Sequence, residues 1–131
     1  MKFGGTLIYV PDVDAALTFY ERAFGALRRF ADPGGMYGEI DGEGAVLGFV
    51  RYDLAESNLP NGFRKNDPAE KPAGIEVAFE ANDVDAAYKT ALAGGATAES
   101  PPTDKPWGQR IAYVRDLNGV LVELGSPMQT A

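Results

Sequence analysis

Neither histidine nor cysteine occurs among the 131 residues, and their absence removes much of the usual protein chemistry. Without imidazole there is no common general base near neutral pH, no Ser-His pair and no favoured metal ligand. Without thiols there is no disulfide, no cysteine-bound zinc and no thiol nucleophile. Chemistry must therefore come from carboxylates, phenols, lysine, arginine or backbone. No phosphate-binding glycine loop with its lysine, dinucleotide fingerprint or nucleophile elbow is present. Tyr9 lies in a strand-like run and, with Leu7 two residues before it, faces one side of that strand. A half-buried phenol there would give an apolar wall and one directional hydrogen bond, or it is a structural strand tyrosine. Arg110, on a later strand, attracts an anionic ligand, faces solvent or pairs with a neighbouring carboxylate.

The elements that must position these residues come in two copies. Asp12-Val13-Asp14-Ala15-Ala16 returns as Asp83-Val84-Asp85-Ala86-Ala87, 71 residues later, which marks an internal duplication. Each copy follows a β-prone run, Thr6 to Val10 and Ile75 to Phe79. A helical pattern comes next, with Val13, Ala16, Leu17, Tyr20 and Phe24 on one face of the first, and Val84, Ala87, Tyr88, Ala91 and Leu92 on one face of the second. Asp12 and Asp83 fit the N-cap, and Gly25 and Gly94-Gly95 supply the stops. Strands are then expected near 27–31, 36–40 and 45–51, divided by Asp32-Pro33-Gly34-Gly35 and Asp41-Gly42-Glu43-Gly44. In the second copy they are expected near 97–99, 109–114 and 120–124, divided by Pro101-Pro102 and Asp116-Leu117-Asn118-Gly119.

The expected architecture is α+β: two βαβββ modules forming a curved mixed sheet, helices on the outer face, and a concave ligand cavity. One domain spans 1–131, with module one at about 1–52, a linker at about 53–72 and module two at about 73–126. Leu54, Leu59 and Phe63 give the polar linker something to bury, so it reads as a partly ordered cover or as an ordinary crossover. A net charge of −7 argues against nucleic acid and anionic membranes as partners. No run is apolar for long enough to span a bilayer, and no basic, hydrophobic leader opens the sequence, so a cytoplasmic location is expected.

Three stretches resemble a known family: Tyr9-Val10-Pro11-Asp12-Val13-Asp14, Phe19-Tyr20 with Phe24-Gly25, and above all the run from Trp107-Gly108-Gln109-Arg110 through Asp116-Leu117-Asn118-Gly119 to Val122-Glu123-Leu124. Together with the paired modules they look like the vicinal-oxygen-chelate superfamily, which includes glyoxalase I, bleomycin-resistance proteins, fosfomycin-resistance enzymes and extradiol dioxygenases. The resemblance covers nearly the whole chain and is specific for fold, while chemistry varies among members. In metal-using members each module offers one ligand from its first strand and one from its last. By resemblance these positions are Gly5 and Gly48 in the first module, and Glu76 and Glu123 in the second. The duplication agrees, since Gly44 to Phe49 lies over Gly119 to Leu124. Leu121 then shares the concave face with Glu123, and Trp107 either edges the cavity or covers the sheet end.

Glycine has no side-chain donor, so the resemblance implies at most two carboxylates for a metal. Those could hold a weakly bound divalent cation such as Mg²⁺ or Mn²⁺ and suit Zn²⁺ or Ni²⁺ poorly. If Glu76 and Glu123 both face the cavity, their repulsion raises one pKa and makes it a proton carrier. The favoured expectation is a cofactor-free protein that sequesters a small organic or aromatic molecule in a homodimer cavity. The alternative is a glyoxalase-like lyase or isomerase using Glu76 and Glu123 as catalytic groups, with a weakly held metal or as bare acid and base.

Overall fold

The structure, a computed structural model, describes residues 1–128, and the two copies fold as compact units, Met1–Lys65 and Asn66 onward. The first unit contains β1 (Thr6–Val10), α1 (Val13–Phe24), β2 (Leu27–Ala31), β3 (Tyr37–Asp41), β4 (Val46–Arg51) and α2 (Tyr52–Asn58). The second contains β5 (Glu76–Glu80), α3 (Val84–Ala93), β6 (Thr97–Asp104), β7 (Arg110–Arg115) and β8 (Leu121–Gly125). Each unit has a four-stranded mixed sheet, ordered β1-β4-β3-β2 in the first and β5-β8-β7-β6 in the second. The first strand of each pairs in parallel with the last, and the other neighbours are antiparallel. This is the α+β, doubled βαβββ plan.

The register confirms how the two copies superpose. Leu7 lies opposite Gly48 in the first unit, and Ala78 lies opposite Glu123 in the second. Both helices begin as their sequences dictate: Asp12 accepts a hydrogen bond from Ala15 N and Asp83 from Ala86 N, each at 3.0 Å. Gly25 closes α1 in the left-handed conformation, with its N–H donating to Glu21 O. Leu17 and Tyr20 of α1 and Phe49 of β4 are fully buried, and the Tyr20 and Phe49 rings lie 5.0 Å apart. Burying side chains of this size stabilises by about 1.5–3 kcal/mol each. One face of the first sheet is thereby closed by α1. In the second unit Ala112, Val114, Val122 and Leu124 form the corresponding core with Val84 and Ala91 of α3.

One expectation needs correction. Pro101-Pro102 does not divide strands: β6 runs through both prolines to Asp104, with register shifts on either side of Ser100. As the outermost strand, β6 has one side free of ladder bonds, and missing N–H groups are tolerated there. The linker also contains a helix, α2, which buries Ala55 against the first unit. It has no side-chain N-cap hydrogen bond, and its few apolar residues give no readable period. Among the described residues no helix is long and apolar enough to cross a membrane.

Candidate functional site

Strand alternation sorts each sheet into a helix-covered face and a helix-free face. In the second unit Arg110 lies on the covered face, where it holds Asp85 of α3 through two hydrogen bonds of 2.9 Å and Asp104 at 3.0 Å. Those carboxylates hold the guanidinium firmly charged, Asp85 contributing most. Its pairing with neighbouring carboxylates leaves Arg110 apart from the remaining candidates. Tyr113, three residues on, belongs to the opposite face, in register with Glu123, and its hydroxyl meets Glu123 Oε1 at 3.4 Å, a long hydrogen bond. Glu76 is exposed to solvent at the start of β5, opposite Leu121.

The charge of Glu123 acts on both Glu76 and Tyr113. Partial desolvation, with the like charge of Glu123 adding to it, raises the Glu76 pKa. Burial first, then the charges of Glu76 and Glu123, raise the Tyr113 phenol as well. The structure thus brings Glu76 and Glu123 into electrostatic contact and adds a phenol.

Trp107 stands ahead of β7 and is 58% exposed. Its indole N–H donates to Gln109 Oε1 at 2.8 Å, while Gln109 Nε2 donates to Ser126 O at 2.8 Å. A Cβ placed on Gly125 would find Gln109 Nε2 at 3.2 Å and Glu123 Oε2 at 3.5 Å. Gln109 therefore ties the tryptophan to the carboxylate end of the helix-free face. Leu121 is on this face too, half-buried opposite Glu76 and Arg115.

The first unit differs at the corresponding positions. Gly5 has φ +147°, and a Cβ there would lie 2.8 Å from both Cβ and the carbonyl oxygen of Val46. At Gly48 a Cβ would lie 2.7 Å from Leu7 Cδ2 and 2.7 Å from Tyr37 Oη. Both glycines are therefore required by close approach, and the space over Gly48 is filled. Tyr37 Oη donates to Glu39 Oε2 at 2.6 Å, and burial together with that carboxylate pushes the phenol pKa up to about 12. Tyr9 packs edge-on against Phe63 of the linker, with ring centroids 4.8 Å apart, and Tyr52 lies 5.7 Å from the same ring. Leu7 is 51% exposed.

This donor set does not fit a four-ligand metal cage. The first module supplies no side-chain donor at Gly5 or Gly48, and a new side chain at either would clash. Among the described residues no group of three histidine, cysteine or carboxylate side chains is placed to hold a metal. Glu76 and Glu123 are the two carboxylates that the resemblance puts at ligand-equivalent positions.

Sequence reasoning did not single out Tyr37, Glu39, Gln109 or Tyr113. The available signal was hairpin register: the turn before Val120 sets Tyr113 against Glu123, and alternation sets Tyr37 beside Glu39. Both modules therefore present a phenol–carboxylate pair on the helix-free face, built from different positions in each.

Comparison with known proteins agrees with the fold. No curated protein matches the chain. Among solved structures, a glyoxalase/bleomycin resistance protein/dioxygenase superfamily member from Sphaerobacter thermophilus is 26% identical, covers 97% of this chain and 98% of its own, and has a TM-score of 0.64. TioX from Micromonospora is 25% identical over 95% and 98% of the two chains, with a TM-score of 0.70. A glyoxalase-related enzyme from Fulvimarina pelagi, at 17% identity, covers 97% and 89% with a TM-score of 0.79, a likeness of fold alone. The family model for the glyoxalase/bleomycin resistance protein/dioxygenase superfamily matches residues 2–124, and the chain belongs to that superfamily.

Proposed function

We propose that this protein binds a small organic or aromatic molecule on the helix-free faces of its modules, acts without a tightly held catalytic metal, and works as a homodimer. The observation behind this reading is the filling of the space over Gly48 by Tyr37 and Leu7. It puts rings and apolar surface where metal-using relatives need a donor. Native mass spectrometry of protein purified without added metal tests the reading. The expected species is a dimer with an organic molecule retained in stoichiometric amount. A stoichiometric transition metal lost on Glu76→Gln or Glu123→Gln substitution would overturn it.

A second reading, a glyoxalase-like lyase or isomerase, is favoured by one observation, the raised Glu76 pKa beside Glu123 and Tyr113. A carboxyl group with a raised pKa can take up and release a proton closer to neutrality. In this reading Glu76 is the proton carrier, its proton affinity raised by desolvation first and then by the like charge of Glu123. Absence of turnover of an α-keto aldehyde adduct by the wild-type protein would remove this reading, and turnover that survives both Glu→Gln substitutions would remove the two carboxylates from it.

A further inference from the structure

The helix-free face of the first sheet holds an arrangement that the binding reading does not specify. Glu39 is largely buried, with 18% of its side chain exposed. Its Oε2 is taken by Tyr37 Oη at 2.6 Å. Its Oε1 faces Arg29 Nε at 3.7 Å, beyond hydrogen-bond reach. The Arg29 side chain is 57% exposed, so this ion pair is loose and screened. One carboxylate oxygen thus keeps acceptor capacity that no short hydrogen bond uses.

Two aromatic rings neighbour Glu39 on the same face of the sheet. Phe30 lies opposite Glu39 in the β2–β3 register, and its ring is 6.3 Å from that of Tyr37. Phe30 is 49% exposed, as open as Leu7 on the same sheet. Tyr37 reaches this place because Gly48 has no side chain to exclude it. Its hydrogen bond to Oε2 fixes the carboxylate so that Oε1 is the oxygen left for a ligand.

We infer that Phe30, Tyr37 and Glu39 form a recognition site for a flat organic cation, an aromatic or heteroaromatic amine protonated near neutral pH. This rests on the small-molecule-binding reading and names its ligand class. An N–H of such a cation donates to Glu39 Oε1 in a charge-assisted hydrogen bond. Its ring lies on Phe30 and Tyr37, whose π-faces attract positive charge. A neutral ring gains the stacking and leaves Oε1 without a donor. An anion meets the Glu39 charge and the same negative ring faces, with Arg29 alone in its favour. The net charge of −7 favours a cation at long range as well.

The test is fluorescence titration of the full chain with three aromatic probes: ethidium as the cation, N-phenyl-1-naphthylamine as the neutral ring, and 8-anilinonaphthalene-1-sulfonate as the anion. Ethidium is expected to bind saturably and roughly tenfold or more tighter than the other two. Glu39→Gln keeps the shape of the side chain; it should weaken ethidium about tenfold and leave the neutral probe unchanged. Phe30→Ala removes the exposed ring; it should weaken ethidium and the neutral probe alike. A wild-type protein that binds the neutral or anionic probe as tightly as ethidium overturns the cation class and leaves the binding reading standing. Glu39→Gln that affects all probes equally, or none, does the same, as does a silent Phe30→Ala. No saturable binding of any probe overturns both readings. Circular dichroism melts of the two variants, matched to wild type, establish that loss of binding is not loss of fold.

Discussion

Gly48 has no side chain, and Tyr37 and Leu7 occupy the volume one would need. Gly48→Glu would recreate the carboxylate of Glu123 in the first module and force atoms now 2.7 Å from the added Cβ to move. Overpacking of this kind costs about 1–3 kcal/mol, so the urea midpoint should fall with an unchanged slope; an unaltered midpoint would show that Tyr37 moves aside freely. Glu76 permits a prediction with a sign. Its pKa is raised in the folded protein, so between the unfolded and folded values the native state binds more protons and stability falls as pH rises through that window. Glu76→Gln should therefore melt slightly higher than wild type at pH 7, by roughly 2 °C given the small worth of exposed charges. The difference should vanish below the ordinary carboxylate range, and a variant that melts lower at pH 7 would contradict the cost of ionising a partly desolvated Glu76 beside Glu123. Glu76 and Glu123 can be reached from sequence because the family resemblance marks their positions and the duplication lays them over Gly5 and Gly48. Tyr37 and Glu39 cannot, because their meaning depends on which sheet face α1 leaves open and on a neighbouring strand having a glycine beneath the phenol.

The β7–β8 hairpin secures the opening segment of the second unit. Arg115, 9% exposed, donates to Gly119 O from Nε and Nη2 at 3.0 and 2.8 Å, to Pro68 O at 3.1 Å and to Asp67 O at 3.3 Å. Gly119 has φ +87°, and a Cβ there would meet Asp67 and Pro68 backbone at 2.8 Å. Buried Asp116 shapes the same turn, accepting from the N–H groups of Asn118 and Val120. Arg115→Met would leave several carbonyls without donors and should destabilise by about 2–4 kcal/mol. Limited proteolysis should then cut near residues 66–70 sooner than in wild type, while an equal cutting rate would show that the guanidinium does not hold that segment. At this scale the sequence is highly legible where periodicity and caps agree: α1, α3, β1 and β2 lie as their patterns predict. It is less so where context overrides propensity. Pro101-Pro102 looks like a break until β6 proves to be an edge, and α2 is too short to show a period.

Duplication gives the molecule two sheets of the same topology with different chemistry on their helix-free faces. In the second unit Glu76 and Glu123 concentrate negative charge beside the Tyr113 phenol; in the first, Glu39 is set among Phe30, Tyr37 and Leu7. The equivalence explains why fold and chemistry part company: pairing register is kept from copy to copy, because a one-residue slip would turn every core side chain to the wrong face. Side chains on the helix-free face carry no such constraint and can differ. Across the whole chain, 19 acidic residues face 12 basic ones, so the field acts on a cationic ligand before any contact forms. Salt shortens the reach of that field to about 8–10 Å at 0.1–0.15 M and about 3 Å at 1 M. Stopped-flow mixing with ethidium should therefore show an association rate falling by on the order of threefold to tenfold between about 10 mM and 500 mM NaCl. The dissociation rate, set by Glu39 and the rings at short range, should change far less, and the neutral naphthylamine should show almost no salt dependence in either. Equal salt sensitivity of the cationic and neutral probes would mean that the excess of carboxylates plays no part in capture, and that selectivity arises entirely at contact.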